Sequence, residues 1–219
     1  MGQVNELKNF SRGQIDVALM KIGQDAGMGT AEGINAWLQG DLIIQKLLSF
    51  SKNEHGHYVF TITGLDLTGK KEIARMEKGN FRLSNYARQI LTSINADSYD
   101  AKHRLEDGRE YNIVLVPGCE VEKNRMTANI QKYARSFGYE VPFAGVIPRI
   151  REAVSDKQME QMNIWYIACL HMPIKDADGD PRVLGADRSD DGRWLCTGWD
   201  DPDSQWGDSG AFAFLVLAS

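Results

Sequence analysis

Asparagine is missing from the last 56 residues of this chain: the final one is Asn163, although the segment beyond it is polar and turn-rich. Asn is a favoured turn residue, so its absence there asks for a reason. Cysteine is scarce as well. Cys119, Cys169 and Cys196 are an odd number with no CxxC spacing. That argues against a disulfide framework or a zinc site and fits a reducing compartment; Cys119 and Cys169 read as apolar filler. No apolar run approaches the roughly 20 residues that span a bilayer, and Met1–Phe10 has no signal-peptide h-region. The chain is therefore expected to be cytoplasmic as synthesised. Basic residues are outnumbered, leaving a net charge of −5, which lacks the basic footprint of a nucleic-acid binder. GxSxG and HExxH are absent, and the four histidines are scattered over residues 55 to 171, so no catalytic residue is predicted.

What is present is ordinary for a folded protein: 42% hydrophobic and 25% charged residues, values that exclude a disordered chain. The length allows one large domain or two small ones. The first fifty residues read as helical. Ser11-Arg12-Gly13-Gln14 has capping-box form ahead of Ile15, Leu19 and Ile22, Thr30 caps a run with Ile34, Trp37 and Leu38, and Leu42–Leu48 is a third helix-compatible run. These fifty residues net −1, so a helical hairpin fits better than a helix-turn-helix DNA reader. Tyr58–Thr63 reads as a strand and Phe81–Leu91 as a helix. Asn95–Arg109 is polar and turn-rich, and the domain boundary is placed there: residues 1–105 mainly helical with a short strand, residues 106–219 a second domain.

The second part has clearer signals. Tyr111–Val116 is a buried-strand pattern, and Thr127–Phe137 is an amphipathic helix with Ile130, Tyr133, Ala134 and Phe137 on one face. Pro148–Ala153 begins a helical region, Ser155-Asp156-Lys157-Gln158 is a capping box for a helix through Met162, and Asn163–Met172 and Gly210–Ala218 are apolar strands. Between those strands lie some forty residues without helical period, expected as a long irregular loop, which in a compact domain is usually functional.

Three motifs are weak. Asp176-Ala177-Asp178-Gly179-Asp180 starts like a calcium loop, but Pro181 and Asp187 stand where Gly and Glu are needed, so a solvated turn is expected. His55-Gly56-His57 lacks a third ligand and reads as a surface loop. Gly27-Met28-Gly29 with Gly33 has no preceding strand to make a nucleotide loop.

The tail carries more. From Asp176 to Asp208 there are ten aspartates against three arginines, a net of −7, with Trp194, Trp199 and Trp206 set among glycines. Indoles are expected to pin this stretch from beneath, leaving short polar side chains outward as a recognition surface.

The sequence RSDDGRWL, the turn Trp199-Asp200-Asp201-Pro202, the pair Gln205-Trp206 and the closing GAFAF resemble the variable proteins of diversity-generating retroelements in phages, bacteria and archaea. Those proteins carry a C-type lectin-like domain distantly akin to formylglycine-generating enzymes. The resemblance covers Glu110–Ser219, is densest over Val183–Phe214, and includes the stretch from Gly145 to Leu184. It implies an α+β fold: a C-terminal C-type lectin fold with paired first and last strands, joining Tyr111–Val116 to Ala211–Leu217, and a long irregular loop region, preceded by the mainly helical N-terminal region. In that family a reverse transcriptase copies a template repeat unfaithfully at adenines, so codons that began as Asn become almost any residue. The missing asparagines fit that history.

By the same resemblance, Arg188, Asp190, Asp191, Gly192, Trp194, Trp199, Pro202, Trp206, Asp208, Gly210, Phe212 and Phe214 form the frame. Gly185, Asp187, Ser189, Cys196, Gly198, Asp201, Ser204, Gly207 and Ser209, with Thr197 and Asp203 at their edge, are the diversified, ligand-contacting positions of a variable region at about 183–210. Cys196 is expected to be an exposed thiol left by a randomised codon. The implied function is non-catalytic binding of a protein or cell-surface ligand, with no cofactor, no nucleic acid and no membrane, and the N-terminal half docking onto a second copy or a virion partner. Neither the Glu-Pro-Asn calcium set nor the copper-binding cysteine pair of the related oxidases is present, so neither a metal nor oxidase activity is expected; the alternative is a catalytic domain of the formylglycine-generating type.

Overall fold

Strand β4 (Glu110–Pro117) sends Ile113 and Leu115 into one buried cluster and Val114 and Val116 into another. Successive side chains point to opposite faces, so a strand that is apolar throughout belongs in the middle of a sheet covered on both sides. β10 (Ala211–Val216) repeats the device with Ala211 and Ala213 on one face and Phe212 and Phe214 on the other. The two pair antiparallel, Phe212 opposite Val116 and Phe214 opposite Val114, which is the strand pairing that the resemblance implied.

The sheet grows outward from that pair in the order β1-β2-β4-β10-β6-β8-β9-β3. β2 (Tyr58–Thr63) pairs with β4 on its other side and β1 (Ser51–Lys52) lies beyond β2, while β6 (Tyr166–Cys169) runs parallel to β10. Beyond it lie β8 (Pro181–Ser189), β9 (Gly192–Trp199) and, parallel to β9, the two-residue β3 (Arg82–Leu83). β5 (Tyr139–Glu140) adds to β10 and β7 (Ile174–Lys175) to β8. The fold is therefore α+β with a mixed sheet.

Helices cover both faces. α1 (Gly69–Lys78), α2 (Asn85–Leu91), α3 (Tyr99–Lys102), α5 (Val146–Ala153) and α6 (Asp156–Gln161) supply Met76, Ile90, Tyr99, Ile147 and Met159 to the larger cluster. α4 (Thr127–Arg135) lays Ile130 and Ala134 on the other face, as its periodicity predicts. α6 opens with the expected capping box: Ser155 accepts from the Gln158 backbone N–H, and the Gln158 side chain reaches back. An ionic cluster ties α1 to α5. Glu72 pairs with Arg149 at 2.5 Å, and Glu152 bridges Arg149 and Arg75. Burial pushes the Glu72 carboxyl up to about 7, against the opposing pull of Arg149.

The computed structural model describes residues 50–189 and 191–216, all within one compact unit. The helices expected before Phe50 lie outside the described residues. Three expectations are corrected and a fourth holds in part. The polar stretch 95–109 is not a boundary, because β2 pairs with β4 across it and Tyr99 and Leu105 join the main core. The presumed irregular loop is mostly the β8–β9 hairpin, registered from Arg182 opposite Trp199 to Ser189 opposite Gly192. Phe81–Leu91 divides: Arg82–Leu83 is a strand, Ser84 accepts from the Ala87 N–H, and the helix starts only at Asn85. The 55–57 segment is the expected loop, between β1 and β2, with His55 exposed, but the His57 side chain is buried. It is 1% exposed, with ring nitrogens 2.8 Å from the Tyr139 hydroxyl and from Glu120. Among the described residues no helix is long and apolar enough to cross a membrane.

Candidate functional site

The register of three strands assembles the site. In the ladder, Tyr166 lies opposite Asp187, Ala168 opposite Gly185, Gly185 opposite Cys196 and Val183 opposite Gly198. Paired residues share a sheet face, so Tyr166, Ala168, Gly185, Asp187, Cys196 and Gly198 line one face together. Leu184, Ala186 and Leu195 point the other way, into the larger core. Over the first face folds the segment between β9 and β10. Small residues on the strands and large ones around them leave a cavity of about 360 Å³, at the lower end of the range for small-ligand sites. Its floor and walls come from Trp165, Tyr166, Ala168, Gly185, Asp187, Cys196, Thr197, Gly198 and Trp199, and its rim from Ser204 to Gly207.

Seven of the eleven positions expected to contact ligand thus gather at one cavity: Gly185, Asp187, Cys196, Thr197, Gly198, Ser204 and Gly207. The other four lie elsewhere. Ser189 is exposed at the end of β8. Asp201 accepts from the Asp203 N–H and the Ser204 hydroxyl, an Asx turn that shapes the rim from outside, and Asp203 is exposed within that turn. Ser209 is exposed, and its carbonyl accepts from the Trp165 N–H at 2.7 Å.

The tryptophans correct the picture of indoles beneath a loop. Only Trp206 behaves that way: it packs with Tyr166 and Phe212, and its Nε1–H donates to Thr127 Oγ1 at 3.0 Å. Trp194 lies across the surface, donating to Asp191 at 2.8 Å. Trp199, opposite Arg182 in the ladder and on the other face of β9 from Cys196 and Gly198, is 50% exposed, and Trp165 is 49% exposed. Trp206 also rests flat on Gly198: a Cβ there would stand 2.1 Å from the indole. Gly210 is held the same way by Tyr166, whose ring would be 2.2 Å from a Cβ. Phe212 and Phe214 are core, and Arg188 donates to the Ile164 carbonyl at 3.0 Å while covering Trp165.

Charge inside the cavity is sparse. Asp187 is half-buried, and burial holds its carboxyl above the ordinary range. Its partner is the Cys196 thiol, while the nearest opposing influence, Arg151, is already paired with Asp156. Cys196 is not the exposed thiol expected: burial and the adjacent Asp187 push its pKa well up. Cys119, expected as filler, is exposed, and Cys169 is buried in the core.

Several contributors escaped the sequence reading. Trp165 and Tyr166 looked like strand filler, yet line the cavity. Arg125 clips the rim: its Nε–H donates to the Trp206 carbonyl at 2.8 Å, and its own carbonyl accepts from the Trp206 N–H. His171 fixes the root of the hairpin. The Leu184 N–H donates to its Nε2 at 2.9 Å, so Nδ1 carries the proton and donates to the Met172 carbonyl. Burial pushes His171 down to about 3 and neighbouring His103 down to about 4, keeping both neutral. Asp176 is an inward turn residue, not a solvated one, accepting from the Asp178 and Asp180 N–H groups and pairing with Arg182. Among the described residues no three His, Cys, Asp or Glu side chains are grouped to hold a metal ion.

No family model, curated protein or solved structure matches this chain.

Proposed function

We propose that this protein is a non-catalytic binding protein of the retroelement-diversified kind, displaying a variable region at about 183–210 on a C-type lectin-like scaffold. One observation carries the reading. Seven of the eleven positions singled out by their place in the motif, and not by any knowledge of contacts, gather at a single cavity, with Trp165 and Trp199, both about half-exposed, among its other lining residues. Large exposed aromatics around a cavity are a recognition feature, since they bring contact area with little side-chain entropy to lose. A protein or cell-surface polymer is the partner, and the N-terminal region serves docking to a second copy or a virion. The upward push on the Cys196 thiol favours its protonated form and runs against a nucleophilic role, because the thiolate is the reactive form.

The test is the gene's surroundings. A near-copy of the 3′ end differing mainly at adenines, beside a reverse transcriptase gene, is the expected finding. A gene with neither, in several independent genomes, overturns the proposal and favours the catalytic alternative.

A further inference from the structure

Resting on the reading of this region as a binding surface, we infer that the partner is a protein that adds one of its own extended segments to the sheet, pairing with the open edge of β9 at residues 197–199.

The first reason is backbone left without a partner. On one side β9 pairs with β8 along its whole length; on the other it meets only β3, with Arg82 opposite Trp194 and Leu83 opposite Leu195. The Leu195 carbonyl accepts from the Ser84 N–H at 3.0 Å, after which the chain turns into α2. In a strand the N–H and C=O of one residue point to the same side, and those of the next residue to the other. Leu195 faces β3, so Thr197 and Trp199 face that way too. The Asp200 N–H, bonded to the Pro181 carbonyl at 2.9 Å on the β8 side, fixes the same alternation. The N–H and C=O of both Thr197 and Trp199 therefore look outward, and none has a partner among the described residues.

The second reason is that this edge is unguarded. Proteins blunt exposed strand edges with charge, proline or extreme shortness. The far edge of the sheet does so through β1, two residues long with exposed Lys52, and β3 does so with two residues and exposed Arg82. Residues 196–199 are Cys-Thr-Gly-Trp, uncharged and without proline, and Trp199 is half-exposed. The third reason is the repeat. A strand laid along this edge sends its side chains alternately to the two faces of the sheet. Those level with Gly198 fall on the cavity side, where Ser204, Gln205 and Trp206 form the rim, and those level with Trp199 lie beside its indole. Backbone pairing then supplies affinity and the cavity supplies selectivity, the division of labour of an added strand. A sugar polymer or a helix does not present donors and acceptors at strand spacing. β3 is the precedent, an extended segment seated on the same edge by the same kind of bond.

The experiment uses the full-length protein and short linear peptides selected on it from a random display library, reading amide hydrogen exchange by NMR. In the free protein the Thr197 and Trp199 amides are expected to exchange about tenfold or more faster than those of Cys196 and Gly198, which point into the β8 ladder. A bound peptide is expected to slow Thr197 and Trp199 about tenfold. N-methylation of the peptide's alternate amides, those facing β9, is expected to weaken binding about tenfold per bond, while N-methylation of the intervening amides changes little. Thr197→Pro removes one outward N–H at a strand edge and is expected to keep the fold while losing about tenfold in peptide affinity. Slow exchange of Thr197 and Trp199 before any peptide is added overturns the inference. So does a library that yields no binder, selected peptides that leave both amides exchanging freely, equal effects of the two N-methylation sets, or undiminished binding by folded Thr197→Pro. The peptide series uses the wild-type protein, so it decides the question if Thr197→Pro does not fold. A template repeat beside the gene with no peptide-induced protection on β9 sinks this inference alone; such protection without the repeat sinks the retroelement reading alone.

Discussion

The β4–β10 pair and the β8–β9 hairpin belong to one sheet but obey different rules. In β10, Ala211 through Phe214 are buried on both faces, alternating small and large so that each side interlocks with its own cluster. In the hairpin, Leu184, Ala186 and Leu195 hold one face to the core, while on the other Gly185, Asp187, Cys196 and Gly198 open onto a cavity. A strand buried twice has no side chain to spare. A strand buried once can give its second face to a ligand, provided the first holds it still. The contrast explains how one sheet can be both a fixed frame and a surface open to change.

The contrast is broken most forcefully at its rigid end. Phe212→Ala is expected to cost about 3–5 kcal/mol, the usual penalty for a large-to-small change in a closed core, read as a lower denaturant midpoint. A cost below 1 kcal/mol would mean that the β4–β10 core is not closed.

Next comes a position where the two regions meet. Gly198 stands among the expected variable positions, yet Trp206 covers it. Gly198→Ala is expected to destabilise by about 1–3 kcal/mol through overpacking. In a Trp206→Ala background the same change should cost markedly less, a coupling measurable in a double-mutant cycle. Equal costs in both backgrounds would place the indole elsewhere. Gly207 differs: a Cβ there meets nothing closer than 3.5 Å, so Gly207→Ala is expected to be mild.

The hairpin root sharpens the comparison through pH. His103 and His171 are depressed to about 4 and about 3, against an ordinary value near 6.5. The unfolded chain therefore binds more protons than the folded one between those values. The stability these rings contribute is full above about pH 6.5 and is lost as pH falls toward 4 and below. Glu72 acts oppositely, its contribution fading as pH rises through about 7. Comparing wild type with a His103→Gln/His171→Gln variant cancels the Glu72 effect, which is common to both. The wild-type midpoint should fall more steeply from pH 6.5 to 4; parallel profiles would contradict neutral imidazoles.

The smallest effects belong to the open surface. Ser189→Ala, Asp203→Asn and Ser204→Ala are each expected within about 0.5 kcal/mol of wild type.

How far this was legible in the sequence follows the same division. β4, β10, α4 and the capped α6 were readable because alternation, 3.6-residue spacing and a capping box are local signals. The β4–β10 partnership came from the motif resemblance, since strand pairing across about a hundred residues leaves no local trace. The β8–β9 hairpin was unreadable. Its Asp and Gly content is poor in strand propensity, and only its place between β6 and β3 makes it a ladder. α1 was missed behind Gly69-Lys70-Lys71, although Thr68 caps it and Met76 is core. At the site, polar positions around tryptophans could be named, but which indole is buried depends on Arg125, Thr127 and Tyr166, far away in sequence. Cys196 likewise looked disposable until the register set it beside Asp187.

The most direct test is to sequence the 3′ end of this gene from many individuals of the natural population. Substitutions concentrated at the codons for Asp187, Cys196, Thr197, Ser204 and Gly207, with β10 constant and Gly198 changing only where Trp206 also changes, are the predicted result. Substitutions spread evenly over the hairpin and β10, or confined to silent sites, would contradict the account.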